Sequence, residues 1–180
     1  MTIRDCSSNL SQAVIVIATV TLLFCSAGFS FAETITRDEY CKILEDLIDS
    51  SPKDFKDYIG TKISKRQFIS TMTLPEMSRC TITNYTSGAH FSCRGQEGSD
   101  DELGTLRLAF DKYVALLDYC LLEKTRFFVN WRGGQISSSN SLEVLAKSYY
   151  SGQPGTNVKL TLAKPDSTGV YFVKVDIKYR

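Results

Sequence analysis

Apolar residues recur three and four positions apart between Ser99 and Leu122. Leu103, Leu106, Phe110, Tyr113, Val114, Leu117, Cys120 and Leu121 fall on one helical face. Ser99 followed by Glu102 is a capping box, and Asp100, Asp101 and Glu102 suit the positive end of the helix dipole. The pattern predicts a long central helix of roughly 35 Å, at about 1.5 Å per residue, laid across a sheet. A second capping box, Thr36 with Glu39, opens an N-terminal helix whose apolar positions are Tyr40, Cys41, Ile43, Leu44, Leu47 and Ile48. Ser51-Pro52 fits an N-cap and first helical position, and Gly60 fits a C-cap. Residues 37 to 60 are therefore expected to form one kinked helix or two short ones.

Elsewhere the period is two. Gln67 to Leu74 reads as a strand, and Arg79–Asn84 with His90–Gly95 as a hairpin. A four-residue loop, Tyr85 to Gly88, sets Cys80 opposite Cys93 and Ile82 opposite Phe91 on one face. A two-residue Ser87-Gly88 turn makes the cysteines diagonal neighbours instead. Arg126 to Arg132 alternates as a strand up to Gly133-Gly134, and residues 137 to 141 form a polar loop. Leu142 to Tyr150 suits a short helix or a strand. Val158–Leu162 and Tyr171–Tyr179 form a hairpin across Pro165–Gly169. The expected fold is α+β: an antiparallel sheet of about five or six strands, with the N-terminal helix and the long central helix packed on one face. The layout resembles small envelope proteins and secretion-chaperone-like domains in architecture alone, a likeness that implies no function.

The first 32 residues stand outside this pattern. Ala13 to Phe24 is an uncharged apolar run, and Ser30-Phe31-Ala32 supplies a cleavage site before Glu33, so residues 1–32 read as a secretory signal peptide. The rival readings are an uncleaved anchor and a lipidated Cys25, the latter disfavoured by Phe24. Removing the leader from the 180-residue chain leaves about 148 residues, 33–180, enough for a single α+β domain. Two of the six cysteines leave with it. Cys41, Cys80, Cys93 and Cys120 remain, without C-x-x-C spacing, and read as two disulfides in an exported chain. The preferred connectivity is Cys80–Cys93 with Cys41–Cys120, and the other two pairings stay open.

Chemistry is sparse. The one histidine, His90, has no evident nucleophilic partner. The acids at 100–102 are explained by capping, and no nucleotide motif occurs. The sequon Asn84-Tyr85-Thr86 is read as chance, and Lys62, Lys65 and Arg66 as a solvated linker. No catalytic residue, metal or cofactor is expected. The balance of 21 basic and 20 acidic residues argues against nucleic-acid binding and against a polybasic membrane binder. Membrane contact is expected only through the leader, if uncleaved. Trp131, Arg132, Tyr149 and Tyr150 are residue types favoured at protein interfaces and flank a glycine-containing segment. The expected function is a periplasmic or secreted binding protein without catalytic activity: an inhibitor, an immunity-type protein or an envelope accessory. Its partner is expected to be another protein of the envelope or exterior. The alternatives are a small secreted hydrolase with a carboxylate site, a membrane-tethered envelope domain, and an effector acting on a host. Intact mass of the exported protein should start at Glu33 and rise by four hydrogens on reduction; a full-length mass with free thiols would contradict the export reading.

Overall fold

Both capping boxes close. The Thr36 N–H donates to the Glu39 carboxylate at 2.8 Å, and the Glu39 N–H donates to Thr36 Oγ1 at 3.2 Å. The Ser99 N–H donates to Glu102 at 3.0 Å. These caps start the two helices of the computed structural model, which describes residues 35–124, 131–137, 143–152, 155–164 and 169–179. Helix α1 is Arg37–Ser50. A 3-10 turn at Asp100–Glu102 leads into helix α2, Leu103–Asp118, and a wider turn, Tyr119–Glu123, carries it on. Leu106, Phe110, Tyr113, Leu117 and Leu121 are buried, as the seam requires. The leader lies outside the described residues, and the compact unit runs from Ile35 to Arg180. Among the described residues no helix is long and apolar enough to cross a membrane.

Among the described residues the sheet has eight strands, more than the five or six expected. They are β1 Ile59–Lys62, β2 Gln67–Ser70, β3 Arg79–Tyr85, β4 Gly88–Gly98, β5 Arg132–Gly133, β6 Glu143–Tyr150, β7 Thr156–Ala163 and β8 Tyr171–Tyr179. Their order is β1-β2-β3-β4-β8-β7-β6-β5, with every neighbour antiparallel. Two four-stranded meanders thus meet where β4 pairs β8, and α2 carries the chain from the middle of the sheet to its far edge.

The extra strands come from two places. The second half of the expected 37–60 helix is irregular: α1 ends at Ser50, two 3-10 turns follow, and Ile59–Lys62 is β1. Asp54 and Phe55 take left-handed backbone, φ 57° and 53°, which non-glycine residues rarely adopt. Burial of Phe55 against Phe91, with ring centroids 5.6 Å apart, opposes that strain. So does the Ala89 N–H, which donates to the Asp54 carboxylate at 2.9 Å. Gly60 caps nothing; a Cβ there would lie 2.8 Å from the Ile69 carbonyl oxygen, so β1 and β2 approach only because it is glycine. The ambiguous 142–150 stretch supplies the other strand, β6, from Glu143. The expected 126–132 strand falls largely outside the described residues. Its end, Arg132–Gly133, pairs with Tyr149 and Tyr150.

Both disulfides are present, Cys41–Cys120 and Cys80–Cys93. The hairpin register sets Cys80 opposite Cys93 and Ile82 opposite Phe91, with Thr86-Ser87 at the turn. Cys41–Cys120 ties α1 to the end of α2 and closes a far longer loop, 79 against 13 positions of separation. In the chain-entropy model the two constrain the unfolded chain by about 4.5 and about 3 kcal/mol. The core lies between the helices and one sheet face, where Ile82, Phe91, Leu160, Val173, Val175 and Ile177 are fully buried. Leu117→Ala should lower unfolding free energy by about 2–5 kcal/mol in denaturant titration; a near-neutral result would mean that α2 does not pack here.

Candidate functional site

The end of α2 does not wind as a regular α-helix. The Lys124 N–H donates to the Tyr119 carbonyl at 2.9 Å, an i→i+5 bond. Such turns recur at functional positions. This one keeps Leu121 in the core while Cys120 reaches Cys41 of α1. A cleft of about 350 Å³ opens beside that bond, within the range of small-ligand sites. Leu44, Ile48, Leu121 and the Cys41–Cys120 bond give it apolar walls, and Trp131 stands at one side, half-buried against the core.

Its lips are charged. Asp38, Glu45 and Asp49 of α1 line it, with Lys42 and Lys124 opposing them. The Asp38 carboxylate accepts from the Tyr119 hydroxyl at 3.3 Å and pairs with the Lys124 ammonium. Arg37 and Lys124 lie 5.7 and 5.8 Å from the Tyr119 ring centroid. Acids thus outnumber bases around an apolar floor, an arrangement that can hold an apolar group with cationic flanks.

The four residues expected to form a recognition surface are divided by strand alternation. Trp131 lines the cleft. Arg132 is exposed and pairs across the strand with Tyr150, which is 39% exposed. Tyr149 is a correction: it faces the helices and is fully buried. Its hydroxyl donates to Asp118 of α2 at 2.9 Å, and the Lys147 ammonium donates to the same carboxylate at 2.7 and 2.8 Å. Burial first, then the Asp118 hydrogen bond and charge, hold the Tyr149 hydroxyl far above the usual tyrosine range. The cleft's α1 wall was missed because its acids read as a solvated face. Cys41, Leu44 and Ile48 alternating with Asp38, Glu45 and Asp49 was the available signal of a boundary.

His90 and the acids at 100–102 lie away from the cleft. His90 lies on the opposite face of the sheet, its Nε2 4.0 Å from an Asp176 carboxylate oxygen. Asp101 is exposed in the first turn of α2, where the Ser99 hydroxyl donates to it and holds its carboxyl below the ordinary value. Among the described residues no group of three or more His, Cys, Asp or Glu is placed to hold a metal. Comparison with protein-family models, with curated proteins and with solved structures found no match.

The His90 imidazole is held below its ordinary value of 6.5, chiefly by burial, with Asp176 opposing and Lys174 and Lys178 adding to the shift. The unfolded chain therefore binds a proton at His90 more readily than the folded one. Stability should fall as pH drops through 6.5, towards the depressed folded value, and His90→Gln should flatten that slope in melting temperatures taken between about pH 8 and pH 5; an unchanged slope would assign it to other groups.

Proposed function

We propose that this chain is an exported, disulfide-stabilised binding protein without catalytic activity, and that the cleft beside Cys41–Cys120 is where it grips a partner. The observation that carries the reading is the cleft itself: an apolar floor, an indole wall and a charged rim, braced by a covalent bond between two helices. Large rigid aromatic groups in partly desolvated pockets are typical anchors of recognition. The disulfides fit an oxidising compartment, and with the apolar segment 13–24 they support a periplasmic or secreted address. The partner we envisage is another protein of the envelope or exterior that offers an apolar side chain flanked by basic residues. An inhibitor, an immunity-type protein and an envelope accessory all use such a contact.

A hydrolase reading has one observation in its favour: Glu45 and Asp49 line the same wall one helical turn apart, about 5–6 Å between Cβ atoms. Turnover of a glycan that is lost in both Glu45→Gln and Asp49→Asn would replace the binding reading with that one.

Trp131 is the only tryptophan in the chain, so its fluorescence reports on the cleft alone. A neutral naphthylamine probe should shift its emission to the blue and bind at least about tenfold more weakly to Leu44→Gln, a change of about 1.4 kcal/mol. Capture of an envelope protein on immobilised chain should weaken in parallel. A probe that leaves Trp131 emission unchanged would sink the cleft as the binding site.

A further inference from the structure

The two disulfides differ in what surrounds them. Cys80 and Cys93 are sealed into the core, 4% and 0% exposed. Cys41 and Cys120 are only half-buried, and both line the cleft of about 350 Å³ beside α1 and the turn that ends α2. A disulfide is opened by a thiolate that approaches one sulfur directly, so access decides which bond reacts. In the folded chain the cleft gives that access to Cys41–Cys120, and the core withholds it from Cys80–Cys93.

Opening the accessible bond does not require the chain to unfold. Tyr40, Leu44, Leu47 and Ile48 keep α1 in the core, and Leu106, Phe110, Tyr113 and Leu117 do the same for α2. Cys120 lies in the wider turn Tyr119–Glu123, beyond the regular α2. A shift there leaves the hydrogen-bond ladder of α2 intact.

The rim selects among thiols. Asp38, Glu45 and Asp49 surround the sulfurs against Lys42 and Lys124, three acids to two bases and so a net charge of −1. A thiolate with a second negative charge is repelled there, and one that travels with an ammonium group is attracted. Leu44, Leu121 and Trp131 supply apolar surface for its carbon stem.

We propose that Cys41–Cys120 is a thiol-exchange site whose substrates are thiols that carry or neighbour a positive charge. The inference rests on the cleft being open to ligands, as the binding reading requires, and adds a covalent step. The incoming thiolate bonds to one cysteine sulfur and the S–S bond breaks. The electron pair of the broken bond stays on the other cysteine, which leaves as a thiolate and takes a proton from water. The product is a mixed disulfide with one free cysteine, and no further oxidant or reductant takes part. Attack by the freed cysteine restores the bond and expels the ligand.

The test uses the protein recovered from the exported fraction of cells expressing the full chain. It is exposed, folded, to cysteamine, 2-mercaptoethanol and 2-mercaptoethanesulfonate, which are cationic, neutral and anionic. Acid quenching, alkylation and peptide mass read each rate. Dividing by the rate on the urea-unfolded chain removes the intrinsic nucleophilicity of each thiol. Cys41–Cys120 should open at least about a hundredfold faster than Cys80–Cys93. Corrected rates should fall about fivefold from cysteamine to mercaptoethanesulfonate. That spread should close at ~1 M salt, where the screening length is about 3 Å. Glu45→Gln/Asp49→Asn should close it at low salt. Asp49→Asn alone should narrow it, and decides if the double variant does not fold. The longer-lived mixed disulfide, with a lysine-flanked cysteine peptide or with cysteamine, tells a protein source from a small-molecule one; either agrees with the proposal. Equal opening of the two disulfides, exchange no faster than global unfolding, or corrected rates without a charge order overturns it. A silent Cys41–Cys120 in a protein that binds the naphthylamine probe overturns this proposal alone. Charge-ordered exchange with unchanged Trp131 emission supports it and removes only the non-covalent binding reading.

Discussion

The pairing of β4 with β8 is the contact on which the other contacts depend. Phe91 meets Ile177 and Cys93 meets Val175 across that ladder, joining residues 86 and 82 positions apart in the chain. Without it the two meanders would each present an apolar face too narrow to bury. With it, Ile82, Phe91, Val175 and Leu160 form one continuous floor beneath Leu106, Phe110 and Leu117 of α2. Such distant segments must bear the loop-closure entropy before their contact stabilises anything. Cys80–Cys93 ties β4 to β3 from one side, so one partner of the ladder is held in register.

The second constraint is the covalent tie at the helix ends. Cys41–Cys120 places α1 against the wider turn after α2, and the cleft exists because those two elements are held while their side chains diverge. Trp131, Leu44 and Leu121 then face space that no side chain of the described residues fills. Stability and the binding reading thus rest on the same bond. The distribution of charge follows from the layering too. Strand alternation sends Arg79, Arg94 and Lys174 to one side, and the amphipathic helices keep their acids on the other.

Much of this was legible in the chain. Both helix starts were readable because capping boxes are local and the Leu103–Leu121 seam is long. The 80–93 hairpin register followed from side-chain alternation, and the cysteine pairing followed from that register. The failures were non-local. β1 was invisible because Ser51-Pro52 and Gly60 have helical readings, and only Phe55 packing on Phe91, thirty-six positions away, overrides them. β6 was ambiguous because Tyr149 and Leu145 satisfy both periods, and Asp118 on α2 decides between them. Trp131-Arg132 and Tyr149-Tyr150 are two adjacent pairs in sequence, and the sheet sends the members of each to opposite faces. The near-neutral total concealed the cross-strand row of Arg79, Arg94 and Lys174, because composition carries no direction.

The sheet ends in two unequal but equally blunt margins. β5 is two residues long, and β1 is four, irregular in register and closed by Lys62. Short or charged margins leave few unpaired backbone groups to template another chain. Among the described residues, these margins offer another strand little backbone to pair with. At these margins, recognition falls to side chains such as Lys62 and Arg132 more than to paired backbone.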